Sequence, residues 1–206
     1  NDAVIKVTLT TICGTDLHIV REEFPVDLGR TVGHEHVGVI HELGEAVTGY
    51  QLGDRVLVGA ITPCGTCFYC RKGQKLMCRD FRQLGIHIDG TFAEYVKAPY
   101  EQVHKLPDSL DFLAGALIEP LSCVLHSSKA ARITHGSSVA VIGSGLGVLH
   151  GALARQRGAA LVIVIGDNAR RLAAAQEMGA DVVLNIKDGK DPVAEVKKLT
   201  EGRGAD

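Results

Sequence analysis

The strongest constraint on this chain is an alternation in its last third. From residue 137 the sequence reads SSVAVIG, GVLHGALARQRG, LVIVIG, ARRLAAAQEMG, DVVLNI and PVAEVKKLTEG, so short apolar runs alternate with segments of helical spacing. Strands separated by helices cannot pair as hairpins. Right-handed crossovers lay them side by side as a parallel sheet covered by helices, the start of a doubly wound (Rossmann) α/β domain. Such a sheet usually has about six strands. This sequence stops at GRGAD after the third, with nothing to cover the sheet edge, so the chain is expected to be a piece of a longer polypeptide.

Residues 4–100 have a different texture. VIKVTLTTI, HVGVIHELG, DRVLVGAI and TFAEYVKAP are β-rich runs cut by glycines, which predicts an all-β unit with tight turns, a small barrel. Gly53-Asp54 marks the turn before a strand at Arg55–Val58. From about residue 111 alanine-rich helical spacing sets in through LAGALIEPLSCVLHSSKAARI. The expected organisation is therefore a β domain over residues 1–125, followed by an α/β domain over residues 126–206.

Charge and hydropathy exclude several classes. The chain is 46% hydrophobic and 22% charged with a net charge of −2, values expected of a soluble globular protein. Its 24 acidic and 22 basic residues are interspersed, which argues against a charge-driven nucleic-acid or membrane-surface binder. No apolar run reaches the roughly 18 residues of a membrane helix, and no secretory signal opens the chain. It begins inside a strand pattern without a methionine, so residues are expected to precede it. The expected location is the cytoplasm.

Three constellations could carry chemistry. The first is PCGTCFYCRKGQKLMC, with Cys64, Cys67, Cys70 and Cys78 inside 15 residues. Without a secretory signal, metal explains this cluster better than disulfides. Four thiolates make a closed tetrahedral zinc site, which is structural because no position is left for water or substrate; thiolates alone also admit iron. The second set is dispersed: Cys13 in TICGTDLHI, His34 and Glu35 in VGHEHVG, and Glu119 in LIEPLS. Mixed sulfur, nitrogen and oxygen donors are what an open catalytic zinc site uses. Taken singly, a His-Glu pair also fits a surface pair, and a lone cysteine also fits core packing.

The third is VAVIGSGLG, a strand running into Gly143, Gly145 and Gly147 and then a helix. Glycines there let a pyrophosphate approach backbone N–H groups at a helix N-terminus. Asp167, after LVIVIG, stands near the place of the acid that binds the adenosine ribose. The loop reads GxGxG, with Val148 where a third glycine would fall, and Gly166 occupies the usual acid position with Asp167 one later. Asp167 would repel a 2′-phosphate, so the expected cofactor is NAD, although Arg170 and Arg171 would attract one and leave NADP open.

Together these residues resemble the zinc-dependent medium-chain alcohol dehydrogenases, most closely the polyol and threonine dehydrogenase branch. Gly33-His34-Glu35, Gly38, Gly44 and Val47 follow the family's zinc signature, and CGTD, the four-cysteine loop, GDRV, GTFAEY and IEPLS follow in the family's order. The resemblance implies a GroES-like barrel ahead of the Rossmann domain, one catalytic and one structural zinc, and NAD or NADP. It implies that Cys13, His34 and Glu119 hold the catalytic zinc, with Glu35 either a ligand or a close exchanging partner, and that Asp16 orients His34. It implies that Thr15 takes the substrate proton and passes it, through the nicotinamide ribose, to His18, and that Arg171 lies near the cofactor. The partners implied are a small alcohol substrate and a second copy of the chain, as a homodimer or homotetramer. The remaining histidines read as structural or surface residues, and Cys123 as a buried small hydrophobe. Two rivals stand beside this reading: a zinc-stabilised interaction module without catalysis, and a zinc-independent quinone or enal reductase.

Overall fold

The computed structural model describes residues 1–206. They form two compact units, Asn1–Glu119 and Pro120–Asp206.

The first unit follows the period-2 pattern of its strands. In β1 (Asp2–Thr10), Ala3 and Ile5 turn inward while Lys6 faces solvent. A short helix α1 (Gly14–Val20) follows, then β2 (His36–Leu43) and β3 (Arg55–Val58). β4 (Ile61–Thr62) pairs with β5 (Arg82–Gln83) as a separate ribbon, and the four-cysteine loop with its single-turn α2 (Phe68–Arg71) lies between them in sequence. β6 (Tyr95–Pro99), β7 (Val103–Lys105) and the short α3 (Phe112–Ala116) complete the unit.

The main sheet has the order β6-β1-β2-β3-β7, antiparallel throughout. In a flat five-stranded sheet the two edges would lie roughly 19 Å apart. Yet edge strands β6 and β7 are joined only by the single turn Tyr100–Gln102, and four Cα steps span at most roughly 14 Å. The sheet must therefore curl until β6 runs on into β7 as one bent strand, which is the barrel expected from the sequence. Val96, Ala98 and Val103, from both halves of that strand, share one core with Ile5, Ile40, Val56 and Val58.

In the second unit, α4 (Ile118–Ala130) is followed by β8 (Ser138–Ile142), α5 (Gly147–Gln156), β9 (Leu161–Gly166), α6 (Ala169–Glu177), β10 (Val182–Asn185) and α7 (Pro192–Leu199). α4 starts in the last residues of the first unit. The sheet is parallel in the order β10-β9-β8. The central strand β9 buries Val162, Ile163, Val164 and Ile165, as a strand covered on both faces does, which explains its unbroken apolar run. Ala154, Leu172 and Ala175 of the flanking helices pack in the same core. No helix of the structure is long and apolar enough to cross a membrane.

Candidate functional site

The turn into β2 is fixed by close backbone approaches. Gly33 has φ +96°, and a Cβ there would lie 2.5 Å from the Phe92 ring. At Gly90 a Cβ would lie 2.1 Å from the Gly33 carbonyl. Only glycines fit this crossing, and it sets where the next two residues, His34 and Glu35, point; both are buried. The end of β1 grips Glu35 from the other side. Its carbonyl accepts from the Thr11 N–H at 3.0 Å and from the Thr10 hydroxyl at 2.8 Å, and the Thr11 hydroxyl donates to its carboxylate.

Cys13 stands just before α1, where Asp16 turns back so that its Oδ2 accepts from the Cys13 N–H at 2.8 Å. The other Asp16 oxygen faces Nδ1 of His34 at 3.7 Å, beyond hydrogen-bond length, and neither atom has another hydrogen-bond partner. Cys13, His34 and Glu35 each offer a donor atom, all within 4.8 Å of one another. Hydrogen bonding to His34 holds the Cys13 thiol below its ordinary value, and the same bond raises the His34 imidazole. Two metal–ligand bonds of about 2.0–2.3 Å span at most roughly 4.6 Å, so this soft, borderline and hard donor set fits a zinc ion with little movement.

Glu119, in the first turn of α4, is half-buried beside that triplet. Burial raises its carboxyl above the usual value; the charge of His34 opposes the shift and that of Glu35 adds to it. The Thr15 hydroxyl lies 3.6 Å from the Cys13 sulfur, at the same centre. His18 is placed apart from it: the ring is exposed and its Nδ1 is 2.5 Å from Glu23.

The four cysteines of the loop converge and form no disulfide. Their sulfurs are 3.5 Å apart for Cys67–Cys70 and 4.0 Å for both Cys64–Cys70 and Cys67–Cys78. A tetrahedron of thiolates about 2.3 Å from one zinc has edges of about 3.8 Å, so the cage already has the dimensions of a zinc site. Backbone N–H groups also point at the sulfurs. Those of Cys70 and Arg79 draw the Cys67 thiol down to about 6, and that of Thr66 lowers Cys64. Burial pushes Cys70 up to about 12, so a full set of thiolates needs a cation at the centre.

In the second unit, Gly143 adopts φ +103° at the end of β8 and opens the glycine loop. No side chain caps the N-terminus of α5. A Cβ on Gly145 would meet nothing nearer than the Arg171 guanidinium at 4.0 Å, which leaves room for a phosphate. The close helix–strand packing usually served by a third loop glycine is supplied by Gly147 and Gly151, whose Cβ atoms would press on Val141 and Val164 at 3.3 and 3.1 Å. The missing glycine at Val148 therefore leaves the loop intact, and the residues fit a dinucleotide pyrophosphate. Asp167 is exposed, its carboxylate 3.9 Å from Lys187 Nζ.

Sequence reasoning missed Thr11, whose place after a strand carries no signal. His36, read from the sequence as structural or surface, is buried with neither ring nitrogen hydrogen-bonded. Cys123 is exposed on α4, contrary to the expectation of burial, because the helix turns that position outward.

A zinc-fitted triplet in a curled β unit, a four-thiolate cage and a glycine loop on a parallel sheet define a zinc-binding dehydrogenase fold. The chain belongs to that family: residues 1–108 match the alcohol dehydrogenase GroES-like domain and residues 145–206 match the zinc-binding dehydrogenase domain. An alcohol dehydrogenase of Cupriavidus necator is 43% identical over 100% of this chain and 62% of its own length. A sorbitol dehydrogenase of Halalkalibacterium halodurans is 38% identical over 98% of this chain and 60% of its own. A zinc-binding dehydrogenase of Sinorhizobium meliloti, solved bound to NADP, superposes with a TM-score of 0.88 at 39% identity, covering 95% of this chain and 57% of that one. The chain thus spans about 60% of the length of the curated relatives it matches.

Proposed function

We propose that the full-length protein is a zinc-dependent dehydrogenase that moves a hydride between a secondary alcohol, polyol or hydroxy amino acid and NAD or NADP. The observation that carries this reading is the convergence of Cys13, His34 and Glu35 beside half-buried Glu119. Cys13, His34 and Glu119 would hold the ion, with Glu35 as a fourth ligand or the partner that exchanges with it. Zinc bound there supplies Lewis acidity that makes an alcohol hydroxyl acidic near neutral pH.

The chain's own residues then have separable tasks. Thr11 and Thr10 fix Glu35 by three hydrogen bonds, so its carboxylate presents one oxygen to the centre. Asp16 anchors the Cys13 backbone and faces the His34 ring, limiting its rotation. The Thr15 hydroxyl, 3.6 Å from the Cys13 sulfur, would act as a relay, taking up the alcohol proton as it releases its own. His18 lies one helical turn further on, exposed and paired with Glu23, and would be the surface end of that relay. The glycine loop Gly143, Gly145 and Gly147 would receive the cofactor pyrophosphate, with Arg171 at its adenosine end, whereas Asp167, expected there from the sequence, has its carboxylate towards Lys187.

The relatives' names, alcohol and sorbitol dehydrogenase, support the substrate class, and the NADP of the S. meliloti structure supports the cofactor class. Six cysteines without a disulfide suit a reducing cytoplasm. Assembly as a homodimer or homotetramer is carried by the family resemblance alone, and sedimentation of the full-length protein decides it. The test of function is a screen of the full-length enzyme against sorbitol, xylitol, threonine, butanediol and simple secondary alcohols with both dinucleotides. At least one should be oxidised, with Cys13→Ala and Glu119→Ala each lowering kcat by about 100-fold or more. Unchanged turnover in both variants would point to the zinc-independent reductase. No turnover by a protein holding a single zinc per chain would point to the interaction module.

A further inference from the structure

The adenosine end of the loop has an unusual charge pattern. A hollow of about 430 Å³ opens beside the glycine loop, lined by Ser144, Gly145, Asn168, Arg170 and Arg171 among others, with two guanidinium groups and no carboxylate. Recognition of an unphosphorylated ribose normally uses an acid at the end of the second strand, accepting from the 2′-hydroxyl. Here that place is Gly166. A Cβ at this position would lie 2.5 Å from the Ser144 Oγ and 2.6 Å from its Cβ, and Ser144 is itself buried. No acidic side chain can enter from residue 166 unless Ser144 moves.

Asp167 does not substitute for it. Its carboxylate approaches Lys187, just beyond β10, whereas the glycine loop follows β8 on the opposite side of β9. Arg171 reaches over the loop, its guanidinium 4.0 Å from the Cβ position of Gly145. Neither arginine is held by a carboxylate: the ion pairs of this unit are Arg155–Asp181 and Lys187–Asp167. Asn168 caps α6 by accepting from the Arg171 N–H, which fixes the backbone from which that side chain springs.

We propose that this site selects the 2′-phosphorylated dinucleotide over NAD, with Arg170 and Arg171 receiving the 2′-phosphate and Gly166 removing the acid that would repel it. The inference rests on the dinucleotide reading above. A phosphate with close to two negative charges gains charge-assisted hydrogen bonds from planar guanidinium groups, whereas the bare ribose hydroxyls of NAD find no carboxylate in the hollow.

The test is binding, read without turnover. NADPH and NADH are titrated into the full-length protein as purified with its metals, following nicotinamide fluorescence. Calorimetry with 2′,5′-ADP and 5′-AMP isolates the adenosine end. NADPH should bind at least about tenfold tighter than NADH, and 2′,5′-ADP should show the same preference over 5′-AMP. Arg170→Ala/Arg171→Ala should weaken NADPH by about tenfold or more and NADH by clearly less, so that the preference for NADPH falls towards parity. Both side chains are exposed, and a far-UV spectrum of the variant checks that it folds. NADH binding as tightly as NADPH, or an NADPH affinity untouched by the double substitution, overturns the inference while leaving the dinucleotide site in place. Failure of both dinucleotides to bind overturns the dinucleotide reading itself, and the inference with it.

Discussion

Gly38→Ala should be among the most damaging small substitutions in the first unit. A Cβ at residue 38 would lie 2.2 Å from the Lys6 carbonyl oxygen and 2.7 Å from Ile5 Cγ2. The first contact is with backbone, so no rotamer relieves it. Gly38 pairs with Val7 beside the register shift between Val7 and Leu9, where β1 and β2 cross most closely. Moving β1 away by about 1 Å carries an overpacking cost of roughly 1–3 kcal/mol and loosens about two ladder hydrogen bonds at roughly 1 kcal/mol each. The expected loss is therefore roughly 3–5 kcal/mol, which at a urea slope of about 2 kcal/mol/M lowers the unfolding midpoint by roughly 2 M. Urea unfolding of the full-length protein, followed by far-UV circular dichroism, measures it. Gly14→Ala is the control: a Cβ there meets nothing within 4 Å and its backbone is outside the left-handed region, so its midpoint should hold or rise slightly. A Gly38→Ala midpoint within about 0.3 M of wild type would refute the claim that this crossing sets the approach of the strands.

Other perturbations separate the roles of neighbouring residues. Thr11→Val keeps the shape of the side chain but removes the hydroxyl that donates to Glu35; kcat/KM should fall by about tenfold while stability changes by less than about 1 kcal/mol, read by steady-state kinetics and thermal melts. His36 is buried without a hydrogen bond to either ring nitrogen, and burial lowers it from 6.5 to about 4. The unfolded chain then takes a proton at pH values where the folded chain does not, so this residue withdraws stability as pH falls from 6.5 towards 4, by roughly 3 kcal/mol over that window, and nothing above it. His36→Leu should remove that slope and be neutral or stabilising at pH 7, as urea midpoints at several pH values would show. Cys70→Ser, in the buried corner of the thiolate cage, should lose one zinc and destabilise the first unit by about 3 kcal/mol or more while Cys13, His34 and Glu35 still converge; denaturant titration beside metal analysis checks both parts.

How much of this was visible in the sequence depended on whether the determining contact was local. β9 was legible because a strand covered on both faces must be apolar throughout, and LVIVIG is. The four-cysteine cage was legible because its ligands lie within 15 residues, so their spacing alone brings them together. The gathering of Cys13 with His34 and Glu35 depends on β1 delivering one segment beside the turn into β2, a pairing between distant stretches that periodicity does not encode; only the family's motif order pointed to it. Closure of the barrel was likewise hidden in a three-residue turn between two short runs. α4 runs through Pro120 unbroken because the proline falls in its first turn, where the missing N–H would have had no partner. The closed acid position at Gly166 needed the structure, since Ser144 reaches it from another strand's loop.

The central claim is that two zinc sites of different purpose share this chain, a four-thiolate cage that holds a loop and a mixed-donor triplet with Glu119 where the chemistry occurs. Metal analysis of the purified full-length protein tests it most directly, with wild type, Cys13→Ser and Cys67→Ser compared. The account predicts about two zinc ions per wild-type chain and about one in each variant, with Cys13→Ser keeping its thermal stability but losing turnover, and Cys67→Ser losing stability first. A wild type holding only one zinc, or a Cys13→Ser protein that retains both ions and its activity, would contradict it.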